Sequence, residues 1–332
     1  MKPDEEGIYL GEAEEVYHSD KVYETPALSA SLCKLLIDAT PRHAFHASER
    51  LNPSFIRKDT DRFDRGKVAH AWTLRSDAAV REIMADSWRT KAAQAERDAA
   101  RAAGQIPCLT EDYAELKEMV AAQREQLEAL ECGNPFTGGE PEVVIRWLEE
   151  FVWHGKVYNV RCRARLDYLR TDIDNAFDFK STEASARPEE WTRRTMWAIG
   201  SPYQACHYRA GLRRLTQLGI LAMNDPDFVF IVGESKPPYC LSAITVPSDI
   251  RKFSTDKTAE EKWREALVLW SDCLESGEWP GYPTNIYCAE SPHPRGARPE
   301  PSTAGASPHL ESQDAPDEAY TRIQFKGAKR CL

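Results

Sequence analysis

The chain has 332 residues, 42% of them hydrophobic, and a formal net charge of −10. That is enough apolar material for one large core or two modest ones, and the acidic balance argues against a protein that coats nucleic acid with a uniformly basic surface. Apolar runs fall short of a membrane span, the start MKPDEEGIYL lacks a signal-peptide pattern, and nine scattered cysteines include no C-x-x-C pair. Reduced thiols in a cytosol are therefore expected, without a disulfide frame, a zinc site or an iron–sulfur cluster.

In chain order, residues 1–28 read as a loosely structured start. The segment SASLCKLLIDAT predicts a helix capped by Ser29 or Ser31, with Leu32, Leu35 and Leu36 on one face and Pro41 beyond its end. RFDRGKVAHAWTLRS predicts a second helix with Val68, Ala71, Trp72 and Leu74 turned inward. Residues 85–131, rich in Ala, Glu, Gln and Arg, read as a helical insertion of two helices. They split at AAGQIPCLTED, where Gly104 and Pro107 break the pattern, and Leu116, Met119, Val120, Leu127 and Leu130 form the second helix's stripe.

From Glu142 the period becomes that of strands. EVVIRWLEE, KVYNVRCRARLDYL and NAFDFKST follow one another closely and predict an antiparallel meander. A helix through SPYQACHYRAGLRRLTQL comes next, with Ser201 as N-cap and Pro202 at its first position. Two further strands, FVFIVGES and YCLSAITVPS, precede a helix through TAEEKWREALVLWSDCLESG that closes at Gly277. The expected organisation is one globular domain over residues 1–288 and a disordered tail over 289–332, where Pro, Ser, Ala, Gly and His take over. The last stretch, AYTRIQFKGAKRCL, regains aromatic and basic character and is either a docking peptide or part of that tail.

The chemistry is concentrated in LDYLRTDIDNAFDFKST, residues 166–182, which reads as a hairpin with a polar turn over Arg170 to Asn175. Residues two apart on a strand share a face, so Asp178 and Lys180 point one way while Phe177 and Phe179 point into a core. Pairing across the turn brings Asp167 near Asp178. Two close carboxylates repel unless a cation sits between them, and hard oxygen ligands suit Mg²⁺ or Mn²⁺. A lysine beside such an ion can polarise a phosphoryl oxygen or hold an attacking water. Taken alone, a D-x-K on a strand is more often a surface ion pair.

The rest of the chain adds to this trio. GIYLGEAEEVYHS, LSASLCKLLIDATPRHAFHA, RGKVAHAWTL, EPEVVIRW, VRCRARLDYL, AFDFKST and YQACHYRAGL, spread from about Gly7 to Trp279, resemble in order and spacing the RecE-type exonucleases of phages and prophages. These belong to the PD-(D/E)XK nuclease superfamily. The resemblance implies an α/β fold with a mixed, centrally antiparallel sheet flanked by helices. It implies a metal site of His70, Asp167, Asp178 and the backbone carbonyl of Phe179, with Lys180 as catalytic lysine and Glu142 as a further acid for which Glu140 competes. Gln204 and Tyr208 match a Q-x-x-x-Y helix signature facing the DNA. Arg163 and Arg165 match basic positions before the first acid, where, with Arg161, they either hold phosphates or pair with Glu149 or Glu150. Leu166-Asp167 departs from the family's usual P-D but keeps the acid.

The function so implied is Mg²⁺-dependent 5′ to 3′ digestion of linear double-stranded DNA in a bacterial cytoplasm. It would leave 3′ single strands for a RecT-type annealing partner, and family members form homo-oligomeric rings. The competing expectations are a catalytically inactive DNA-binding accessory protein and an endonuclease.

Overall fold

A computed structural model describes residues 5–56, 61–74, 79–252 and 255–284. The N-terminal part runs through β1 (Gly7–Tyr9), α1 (Glu14–Ser19), α2 (Ala30–Asp38), α3 (Pro41–Ala47) and α4 (Asp61–Leu74). A small α/β unit follows: β2 (Val80–Ile83), α5 (Lys91–Ala102), β3 (Ile106–Leu109) and α6 (Thr110–Glu128). Then come β4 (Glu140–Trp153), β5 (Lys156–Arg170) and β6 (Asn175–Thr182). The chain continues through α7 (Pro188–Arg194), α8 (Met196–Ile199), α9 (Ser201–Gln217), β7 (Asp227–Glu234), β8 (Leu241–Thr245) and α10 (Ala259–Ser276).

Six strands form one sheet in the order β1-β4-β5-β6-β7-β8, antiparallel throughout except where β6 runs parallel to β7. The expected mixed α/β architecture with a central antiparallel meander is therefore present. The meander begins with a long hairpin, β4–β5, closed by His154 and Gly155 at φ 47° and 81°. Two positive φ values in a two-residue loop suit the right-handed twist of the flanking strands. A parallel neighbour cannot be reached by a tight turn, and α7, α8 and α9 fill the crossover from β6 to β7.

Apolar side chains cover both faces. On one, α2, α9 and α10 supply Leu36, Leu212, Trp263 and Trp270 against Ile145, Trp147, Ala164 and Phe230 of the sheet. On the other, Val68 and Leu74 of α4 and Leu116 and Met119 of α6 meet Phe136, Phe177, Phe179 and Ile231. The buried stretch of β6, Ala176 to Phe179, is apolar but for one acid, Asp178.

Four expectations need correction. Residues 5–28 are not loose: β1 pairs with β4, and carboxylates fasten the segment. Glu6 accepts from Leu148 N at 2.9 Å, Glu12 from Arg146 at 2.7 Å, and Asp20 from Ala27 N at 2.8 Å. The insertion is not purely helical, because the segment breaking its two helices is β3, paired in parallel with β2. Ile106, Pro107, Cys108 and Leu109 give a short apolar run too brief to separate strand from loop by periodicity. Ser201 is the first residue of α9, and Gly200, at φ 80°, takes the cap position. Ser29 does precede α2, but its hydroxyl meets Ser31 Oγ and caps no N–H of the helix.

The described residues up to Gly281 belong to one compact unit, and Tyr282 begins a second of which only residues 282–284 are described. The expected tail, 289–332, lies outside the described residues. Among the described residues no helix is long and apolar enough to cross a membrane, and the cysteines there are free.

Candidate active site

The site is made by a fork in the sheet. β5 and β6 pair only through Tyr168–Phe177, Leu169–Ala176 and Arg170–Asn175. Beyond that, β5 stays with β4 and β6 with β7. Leu28 takes over the freed edge of β5, accepting from Arg163 N at 2.9 Å and donating to Arg161 O at 2.8 Å. Asp167 and Asp178 are the first residues past the last rung, so they stand where the strands part.

Strand alternation breaks at the same place. Leu166 and Tyr168, two apart, lie in opposite core clusters, which strict period-two alternation forbids. Opposite Asp167 in register sits Glu142, outside the ladder and at φ 52°. An L-residue in the left-handed region within a strand is a strained position, and such positions concentrate at functional sites.

Asp167 holds two donors with one oxygen. Its Oδ2 accepts from Phe179 N at 2.8 Å and lies 2.9 Å from His70 Nε2. Phe179 N–H would otherwise have bonded to β5, so the carboxylate replaces a lost rung. Asp178 is 2% exposed. Its Oδ1 accepts from the Gln204 amide at 2.6 Å, and its Oδ2 is in ion-pair contact with Lys180 Nζ.

The electrostatics follow from burial and proximity. Burial raises the Asp178 carboxyl and the neighbouring Asp167 charge raises it further, to about 6 despite Lys180. For Asp167, burial works upward, but His70, Lys180 and the Phe179 N–H outweigh it and hold the group below the usual carboxylate range. Burial alone would lower His70 and Lys180. The two aspartates reverse that and hold both bases protonated more strongly than usual, with Glu142 adding to the effect at His70. The pair thus carries unequal carboxylates: one settled as an anion, one short of compensation.

His70, Asp167, Asp178, Phe179 and Lys180 meet as the sequence anticipated. Gln204 reaches Asp178, and Tyr208, four residues on along α9, is buried edge-on against Phe228 beside Gln204. Glu142 binds Arg165 at 3.1 Å and is near enough to His70 to act on its charge, whereas Glu140 is exposed at the start of β4. The arginine row does not hold together. Arg163 is 5% exposed, ion-paired with Asp20 at 3.2 Å, bonded to Tyr17 O and stacked on the Tyr17 ring. It fastens α1 to the sheet and cannot meet a phosphate. Arg161 lies over Tyr23, and Glu150 is bound by Arg214 at 3.1 Å.

The sequence reading missed Glu14 and Lys67. Lys67 is three residues before His70 and so on its face of α4, a signal that spacing carries. Glu14 comes from α1 and reaches within 4.0 Å of both Lys67 and Arg165, which no local pattern reveals. A separate cleft of about 180 Å³ runs along the α9 face bearing Cys206, Arg209 and Arg213, toward Glu149 and Trp263; it includes none of the predicted site residues.

The residues suit a hard divalent cation in kind: two carboxylates and an imidazole. As they stand they are bonded to one another, and among the described residues no three His, Cys, Asp or Glu side chains are grouped as metal ligands.

No family model and no curated protein matches the chain. Among solved structures, a "Putative exonuclease" from Eubacterium rectale is 13% identical over 81% of this chain and 85% of its own, with a TM-score of 0.47. The protein SSO0001 is 13% identical over 67% of this chain and 89% of its own, with a TM-score of 0.24. With both scores below one half, the chemistry has to come from the residues of the site.

Proposed function

We propose that this chain is a metal-dependent nuclease of the PD-(D/E)XK kind, and more narrowly a RecE-type exonuclease. It would digest linear double-stranded DNA 5′ to 3′ and leave 3′ single strands for an annealing partner. The observation that carries the reading is the meeting of Asp167, Asp178 and Lys180 with His70 at the fork between β5 and β6. Polarity, the RecT-type partner, the ring and the bacterial host come from the resemblance in sequence.

His70, Asp167, Asp178 and the Phe179 carbonyl would hold Mg²⁺ or Mn²⁺, which supplies Lewis-acid charge at the phosphoryl oxygens and lowers the pKa of a nearby water. The chain's own residues do the rest. Lys180 carries a firmly held proton and places positive charge where a phosphorane oxygen would develop negative charge. Gln204 fixes the rotamer of Asp178 through its 2.6 Å bond, and the other carboxylate oxygen, which now meets Lys180, is the one that would turn to the ion. His70, 2.9 Å from Asp167, would present its Nε2 to the ion once that nitrogen has released its proton.

The test uses linear duplexes labelled at the 5′ end or the 3′ end, and closed circular duplex, each with Mg²⁺ or EDTA, for wild type and Lys180→Ala. Early release of short 5′-labelled products from linear DNA alone, abolished by EDTA and by the substitution, is expected. Cleavage of the circle replaces the exonuclease with an endonuclease. Bound but intact DNA throughout replaces it with an accessory protein.

A further inference from the structure

Three charged side chains from three different elements meet at the rim of the fork, outside the catalytic cluster. Lys67 projects from α4 on the face that carries His70. Arg165 projects from β5 two residues before Asp167. Between them stands Glu14 of α1, with Oε1 at 4.0 Å from Lys67 Nζ and Oε2 at 4.0 Å from Arg165 Nη1. Arg165 also meets Glu142 at 3.1 Å, and its Nε has no acceptor among the described residues. Glu14 receives His18 at 3.5 Å as well.

Two cations held side by side repel unless an anion bridges them. A carboxylate presenting one oxygen to each is such an anion, and a phosphodiester presents the same charge through two oxygens at similar spacing. Phosphate contacts fix the register of a duplex on a protein, and these cations stand beside the residues that would cut it. Glu14 holds them at long range, and its side chain is 39% exposed, so the bridge is weak and solvent-screened. It sits in the first turn of a six-residue helix whose N-cap makes no side-chain bond, and a rotamer change suffices to withdraw it.

We propose that Lys67 and Arg165 form a clamp for one backbone phosphate of bound DNA, and that Glu14 is an internal stand-in that fills the clamp until a phosphate displaces it. This rests on the nuclease reading. Glu14 then tunes DNA affinity: it competes with the backbone for the two cations, while Glu142 at 3.1 Å keeps Arg165 in place without DNA.

The experiment is fluorescence anisotropy with a linear duplex, in EDTA so that nothing is cleaved, on the full chain and over a salt series. Glu14→Gln is expected to tighten binding about fivefold, and Lys67→Ala or Arg165→Ala to weaken it about tenfold, since each such contact is worth about a factor of ten or less. Loss of one cation should also reduce the slope of log K against log salt by about one. Glu15→Gln makes the same change of net charge on the exposed side of α1 and should change affinity less than twofold. The gain from Glu14→Gln should vanish in the Lys67→Ala, Arg165→Ala background. Duplex binding that ignores these substitutions, or an equal gain from Glu15→Gln, overturns the clamp and leaves the nuclease reading standing. Absence of duplex binding by wild type and Glu14→Gln alike overturns both.

Discussion

At the scale of single residues, the site is a set of charges that the fold leaves unequal. Asp178 is buried with one oxygen on Gln204 and the other beside Lys180, so each neighbour has a separable task. Lys180→Ala removes the positive charge nearest the proposed phosphoryl position and is expected to reduce the cleavage rate by about a hundredfold or more. Gln204→Ala leaves every charge in place, frees the Asp178 rotamer and removes the hydrogen bond to Tyr208. Supporting groups of this kind typically cost about tenfold to a hundredfold when removed. Rates on linear duplex, with thermal melting to show that both variants fold, decide between these roles. If Gln204→Ala is as damaging as Lys180→Ala, the amide contacts the substrate directly. The Asp167–Asp178–Lys180 grouping was legible because it depends only on hairpin parity and turn length. The fate of Arg163 was not, because Asp20 and the Tyr17 carbonyl come from a distant part of the chain and parity does not reveal what will cover a strand.

At the scale of elements, the fork depends on β4 as much as on β5 and β6. Glu142 leaves its ladder position at φ 52° just where β5 must release β6, and a left-handed L-residue there costs about 1–2 kcal/mol. Glycine adopts that conformation freely. Glu142→Gly is therefore expected to leave unfolding free energy unchanged or to raise it by up to about 1 kcal/mol, while the rate of DNA cleavage falls. Urea denaturation and the cleavage assay on the same preparation check it, and a large loss of stability would mean the backbone is not strained there. α10 offers a control remote from the site. Thr258 accepts from Glu261 N at 3.1 Å while Glu261 accepts from Thr258 N at 2.7 Å, a complete capping box. Thr258→Ala is expected to cost about 1 kcal/mol and to leave the cleavage rate as it was. Helices and strands of this core were readable from periodicity, since α9 and α10 bury one face and β5 alternates until the fork. β2 and β3 were not: as a two-stranded parallel unit inside a helical segment they carry too few residues for any period to show.

At the scale of the whole molecule, a buried neutral histidine ties α9 to the sheet and to α10. His207 of α9 is fully buried. Its Nε2 lies 3.1 Å from Arg163 O on β5, and its Nδ1 accepts from Trp263 Nε1 of α10 at 3.1 Å. Its ring also packs 4.7 Å from that of Trp147 on β4. Those partners require Nε2 to carry the proton and Nδ1 to be bare, so the fold selects the neutral ring. Burial accordingly lowers its pKa from 6.5 to about 4. A group depressed on folding gives stability that is fully present above its unfolded pKa and is lost as pH falls through the folded one. The window here runs from about pH 6.5 down to about 4, and the loss amounts to about 3 kcal/mol. Asp20, which burial raises to about 6, works in the opposite sense over the same window, so the wild-type curve alone would hide the effect. The comparison with His207→Gln isolates it, because glutamine can donate to Arg163 O without a titrating proton. Urea unfolding at pH 7.5 and pH 4.5 should show wild type losing stability relative to the variant by about 2–3 kcal/mol as the pH drops. A constant difference between the two proteins would show that this histidine is not held neutral, and that the joint between sheet and helices does not depend on its charge.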